Sequence, residues 1–66
     1  MNAELKFFKS ADECFAVIRR YPGCTMEDLH KLGYHSVYIW LKKLTETGRI
    51  FHTGTISSGY RYFPND

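Results

Sequence analysis

The cysteines and histidines of this chain, the soft and imidazole groups most often recruited to metal and proton chemistry, are Cys14, Cys24, His30, His35 and His52. No Cys-x-x-Cys or His-x₃-His spacing joins them, so no metal site is expected. No nucleophile stands at a recognisable spacing from a base. There is no glycine-rich phosphate loop, and no pair of carboxylates falls in a likely cleft. The expectation is a protein that is not an enzyme, with no cofactor and no evident small-molecule substrate. The remaining chemistry is that of cations beside exposed apolar and aromatic groups. Lys42 and Lys43 follow Tyr38 and Ile39 at helical spacing, a combination suited to binding rather than catalysis.

Net charge is only +2 with histidines neutral, and the isoelectric point is about 8.6. That is a mild bias towards polyanions, below the pI above ~9 that often marks a dedicated nucleic-acid binder. Two cysteines do not make a disulfide framework. The N-terminus has no basic start followed by a long apolar run, and no stretch approaches the ~18 apolar residues of a membrane span. A cytoplasmic protein with reduced thiols and no membrane partner is expected.

The elements that must position the lysines follow from local signals. With 66 residues the chain is one domain that folds with little stability to spare. Five Phe, five Tyr and one Trp help fill its core. Residues 1–9 form an ordered lead-in, in which Phe7, Phe8 or both pack on the domain. Ser10-Ala11-Asp12-Glu13 is a capping box opening a helix over 10–21, with a staple from Phe8 to Cys14 or Phe15. Cys14, Phe15, Ile18 and Tyr21 form its inner stripe, and Pro22-Gly23 ends it. Thr25-Met26-Glu27-Asp28 caps a second helix over 25–32, with acidic residues where the dipole favours them. Gly33 supplies its left-handed end. A third helix spans 36–47, with Val37, Trp40, Leu41 and Leu44 on one stripe, and Gly48 stops it. Residues 49–63 then read as a hairpin: strands at Arg49–Thr53 and Tyr60–Phe63, joined by a loop bracketed by Gly54 and Gly59.

This order, and the run Ser36-Val37-Tyr38-Ile39-Trp40-Leu41-Lys42-Lys43-Leu44-Thr45-Glu46-Thr47-Gly48-Arg49-Ile50, resembles MarR-type and related small bacterial and phage transcriptional regulators. Thr25-Met26-Glu27-Asp28-Leu29 is similar to the opening of their second helix. The resemblance covers about residues 10–63. It implies an α+β winged helix-turn-helix: a three-helix bundle followed by a C-terminal two-stranded β-hairpin wing. It also implies a partner, double-stranded DNA, with the 36–47 helix in the major groove. Carried over by position, the outer face comprises His35, Ser36, Tyr38, Ile39, Lys42, Lys43 and Glu46. His35 and Ser36 stand at the helix N-terminus, where amides meet a phosphate; Ser36 equally suits an N-cap. Tyr38 suits a base or phosphate, and Ile39 a thymine methyl or a neighbouring protomer. Lys42 and Lys43 suit phosphates. Arg49 at the base of the wing and Arg61 on its return strand are further DNA candidates, with cross-strand pairing the alternative for Arg61. His30 and Lys31 would flank the phosphate path, whereas Glu27 and Asp28 oppose it unless they face away.

The wing tip, Thr55-Ile56-Ser57-Ser58, carries no charge, which departs from the basic tips of many DNA-binding wings. Ile56, Phe7 and Phe8 are instead candidate protein contacts. Tyr21, Tyr34, Tyr60 and Tyr62 read as core or sheet packing rather than a base-stacking platform. Two functions therefore compete. One is a small DNA-binding regulator of transcription, acting as a dimer or cooperatively because one such domain touches few base pairs. The other is a winged-helix module that binds a host or phage protein. A nucleic-acid adaptor in recombination or excision is a third.

Overall fold

Ser10 sits in extended geometry before α1 (Ala11–Arg20), and its hydroxyl accepts from the Glu13 amide at 3.3 Å. The other arm of the expected box lands one residue earlier. Glu13 Oε1 accepts from the Lys9 amide at 2.8 Å, so the carboxylate ties the lead-in to the helix. Thr25 opens α2 (Met26–Lys31) with both arms of a capping box. Its hydroxyl accepts from the Asp28 amide at 3.1 Å, and Asp28 accepts from the Thr25 amide at 3.0 Å. The Thr25 amide is the main reason the Asp28 carboxyl is held below its ordinary pKa.

This computed structural model describes residues 6–65; the first five residues of the expected lead-in and residue 66 lie outside the described residues. The remaining elements are β1 (Lys6–Phe7), β2 (Tyr34–His35), α3 (Val37–Glu46), β3 (Ile50–Thr55) and β4 (Gly59–Pro64). The chain is thus a small α+β domain of three helices and a two-stranded antiparallel sheet, an order compatible with the expected winged helix-turn-helix. No helix among the described residues is long and apolar enough to cross a membrane.

One core joins all three helices and the hairpin. Cys14 and Ile18 of α1, Leu29 of α2, Val37, Leu41 and Leu44 of α3, Ile50 of β3 and Tyr62 of β4 are buried, with Phe8 and Cys24 from the connections. Trp40 is half-buried at the edge of that cluster. Tyr21, expected on the inner stripe of its helix, is exposed, and so is Leu32. Each lies at a helix C-cap, where the apolar face has turned past the core. No charged or polar side chain is buried among the described residues.

Three features differ from expectation. Lys6 and Phe7 pair in parallel with Tyr34 and His35, so His35 belongs to a strand rather than to the third helix. Strand alternation then turns Phe8 inward, where it stacks on Tyr34 at 4.2 Å between ring centroids. Phe8 is buried, and so is not a surface for a protein partner. In the hairpin, Gly54 and Gly59 do not bracket the loop. They lie within the ladder, which runs from Ile50↔Pro64 to Thr55↔Gly59 and leaves only residues 56–58 to turn. Both have positive φ, 96° and 87°. A side chain on Gly54 would strike the Gly59 carbonyl, so the tight crossing requires glycine there. Cys24 forms an isolated antiparallel bridge with Tyr62 on the side of β4 away from β3, a rudiment of a third strand.

Leu44 is fully buried. Leu44→Ala is expected to cost about 2–5 kcal/mol in a urea melt, against the roughly 3–10 kcal/mol available to a domain of this length. The thiols offer a second test. Both cysteines are free and buried. Burial first, and the neighbouring Cys24 second, push the Cys14 thiol from an ordinary value of 9.0 to about 12. The unfolded chain releases this proton near pH 9 while the folded chain keeps it. The stabilisation is therefore complete below about pH 9 and is lost as pH rises towards 12. Burial raises Tyr62 as well and acts in the same sense. Urea midpoints are expected to fall between pH 8 and pH 10, and a thiol reagent at pH 8 to label the cysteines only after denaturation.

Candidate nucleic-acid interface

With Val37, Leu41 and Leu44 inside, the helical period turns Tyr38, Ile39, Lys42 and Lys43 of α3 outward. Tyr38 and Ile39 are 60% and 64% exposed, the latter a large apolar side chain left in water. Together with Lys42, Lys43 and Glu46 they line an open depression of about 480 Å³. Neither lysine has an ion pair or hydrogen bond among the described residues, although Glu46 lies one turn away. The structure therefore brings four of the expected residues together as one face with unpaired positive charge.

A second, narrower groove of about 180 Å³ runs between this helix and the hairpin. Tyr38, Lys42 and Thr45 form its α3 wall, His52, Tyr60 and Tyr62 its hairpin wall, and Leu41 its floor. The β3–β4 register sets the hairpin wall: Ile50, His52 and Gly54 share the inner face with Tyr60, Tyr62 and Pro64. His52 packs against Tyr60 at 4.3 Å and Tyr62 at 5.8 Å between ring centroids. Burial raises the Tyr62 hydroxyl's pKa, with Tyr60 and Tyr38 adding, so it stays protonated at neutral pH. Sequence reasoning left His52 and Tyr60 out of the site. Alternation in the last strand puts Tyr60 and Tyr62 on one face, but His52 joins them only through the β3–β4 register, and only the apposition of the hairpin to α3 makes that face part of a groove.

The other expected residues lie elsewhere. Ser36 stands at the N-cap position, but its backbone is left-handed (φ 58°, ψ 36°) and its side chain makes no capping bond. The expected N-cap role is therefore not formed, since that role needs extended geometry. Its hydroxyl is exposed at the start of the helix. His35 faces Phe7 and His30, with ring centroids at 6.2 and 6.3 Å. Arg49 turns to α1, where it meets Asp12 Oδ1 at 2.7 Å and lies over the Phe15 ring at 4.4 Å. Because α1 packs on the inner side of α3, this cation is drawn away from the outer face. Arg61 lies on the opposite face of the hairpin from Tyr60 and Tyr62 and donates to the Gly23 carbonyl at 3.3 Å. It is neither on the α3 groove nor paired across the strands with a side chain.

At the hairpin tip, Thr55 and Ser58 bind one another through both hydroxyls and both amides, at 3.0 to 3.1 Å. Ile56 is left 87% exposed on this closed turn. Glu27 does not face away: it pairs loosely with Lys31 at 3.9 Å and lines a depression with Ser58, Gly59 and Tyr60. The tip is thus uncharged and has a carboxylate nearby. Phe7 is exposed, as a surface contact requires. No group of three or more His, Cys, Asp or Glu that would hold a metal occurs among the described residues.

The chain matches no protein-family model, and comparison with curated proteins and with solved structures finds no match.

Asp12 is 82% exposed, so solvent screens its bond to Arg49. Arg49→Ala is expected to lower stability by roughly 1 kcal/mol, from the weak surface pair together with lost packing on Phe15. A thermal melt would read this as a fall of about 4–8 °C; a fall of more than twice that would show that the arginine organises the core.

Proposed function

We propose that this chain is a winged helix-turn-helix domain that binds double-stranded DNA through α3 and serves as a small regulator of transcription. The observation that carries this reading is the outer face of α3, where unpaired Lys42 and Lys43 flank exposed Tyr38 and Ile39. The order of three helices and a hairpin supports it.

With α3 in the major groove, the two lysines neutralise phosphates and fix register. Ile39 meets a thymine methyl, and Tyr38 donates to a base edge or phosphate. Arg49 and Arg61 take no part, because each is held by the fold. Phosphate contacts are then few, and useful selectivity needs a second copy or cooperative binding on one site. Regulation follows from occupying or recruiting at a promoter.

One observation favours a second reading, a module that binds another protein. Ile56 stands 87% exposed on a turn that carries no charge and in which Thr55 and Ser58 bond each other. A salt series separates the two. The logarithm of DNA affinity should fall linearly with the logarithm of salt, and Lys42→Ala with Lys43→Ala should make that slope shallower by about 1.8, at 0.9 per phosphate. Arg49→Ala and Arg61→Ala should leave it unchanged. If duplex DNA moves no NMR signal of α3 at low salt, DNA binding is refuted. Capture of a protein partner that survives the double lysine change and fails in Ile56→Asp would establish the second reading.

A further inference from the structure

We infer that the groove between α3 and the hairpin seats one backbone phosphate between Lys42 and His52, so that DNA binding is coupled to uptake of a proton by His52. This rests on the proposal that α3 binds DNA and adds a residue and a regulation to it.

His52 is exposed, and neither ring nitrogen has a hydrogen-bond partner among the described residues. Its ring is nevertheless fixed, by contact with Tyr60 at 4.3 Å and Tyr62 at 5.8 Å. The two tyrosines meet the imidazole at 45° and 71° and leave both nitrogens unoccupied, so the ring is placed to meet a ligand from solvent. Lys42 lines the same groove from α3 and has no partner either. Lys42 also borders the outer depression, so the groove continues the face already assigned to DNA.

The groups facing His52 are Lys42 and Tyr38 from α3 and Tyr60 and Tyr62 from β4; no carboxylate lines this groove. A phosphate seated between Lys42 and the ring favours the protonated imidazole, because an anion stabilises the charged form. Imidazole is the side chain whose charge ordinarily changes between about pH 5 and 8. Binding therefore strengthens on acidification across that range and takes up a proton. His30 and His35 face one another beside β1 and β2, and serve as internal controls.

The test is anisotropy of a labelled mixed-sequence duplex at pH 6 and pH 8. The wild-type chain is expected to bind roughly three- to tenfold tighter at pH 6, as one charge-assisted contact implies. His52→Gln should lose most of that difference, and its salt slope at pH 6 should be shallower by about 0.9. His35→Gln should retain both. NMR titration of the histidine rings in the unmodified chain gives a readout independent of folding of the variant: the His52 midpoint should rise on adding duplex while those of His30 and His35 stay put. A His52 midpoint that does not move, or a folded His52→Gln with wild-type pH dependence and salt slope, overturns the inference and leaves DNA binding by α3 standing. A wild-type chain that binds no duplex at pH 6 and low salt overturns both.

Discussion

Packing of Val37, Leu41 and Leu44 against Cys14, Ile18, Leu29 and Ile50 is the constraint from which the rest of the molecule follows. A chain of 66 residues buries only ~60% of the surface it exposes unfolded, so no second apolar cluster is affordable. Once three side chains of α3 enter the core at intervals of four and three residues, the next positions must point into water. The exposure of Tyr38, Ile39, Lys42 and Lys43 is thus the other side of core formation. Where that face points is therefore fixed by the core.

What was legible in the sequence is what local physics decides. The Ser10 and Thr25 caps, the glycine after α2 and the inner stripe of α3 depend on residues within one or two turns, and these appear as read. The β1–β2 pair was not legible. It joins residues 28 positions apart, and two residues are too short to show alternation. The hairpin was misjudged because glycine commonly marks a loop, whereas here Gly54 and Gly59 allow the strands to cross tightly inside the ladder. At Ser36 the type suggested a cap, but the chain leaves β2 for α3 through a left-handed residue and the hydroxyl is not aimed at the helix.

The candidate site divides along the same line. Residues whose direction is set by the helical period lie where sequence reasoning put them. Residues whose direction is set by a tertiary partner do not. Arg49 finds its carboxylate on α1, and Arg61 finds a carbonyl at Gly23, each more than 35 positions away. Conversely, alternation puts Tyr60 and Tyr62 on one strand face, yet the place of His52 beside them depends on the hairpin register, and their place opposite Lys42 on how the hairpin lies against α3. A count of cations near a hairpin therefore overstates the charge available to a polyanion.

That difference bears on how strongly one copy can hold DNA. If α3 and the groove bind DNA as proposed, Lys42, Lys43 and His52 would make three phosphate contacts, and a fourfold rise in salt would weaken binding on the order of 40-fold. Domains with six to ten contacts lose about 10³–10⁵ over the same interval. On the proposed DNA-binding reading the chain would sit at the weak, salt-tolerant end, where non-specific attraction is small and base contacts by Tyr38 and Ile39 would make up more of the total. Occupancy of a site by one copy would then be low. Of the apolar groups exposed away from α3, which include Tyr21, Leu32 and Phe51, Ile56 and Phe7 are the most exposed. On the same proposal, association of a second copy through them would add affinity without adding charge, which would offset the scarcity of cations on one copy.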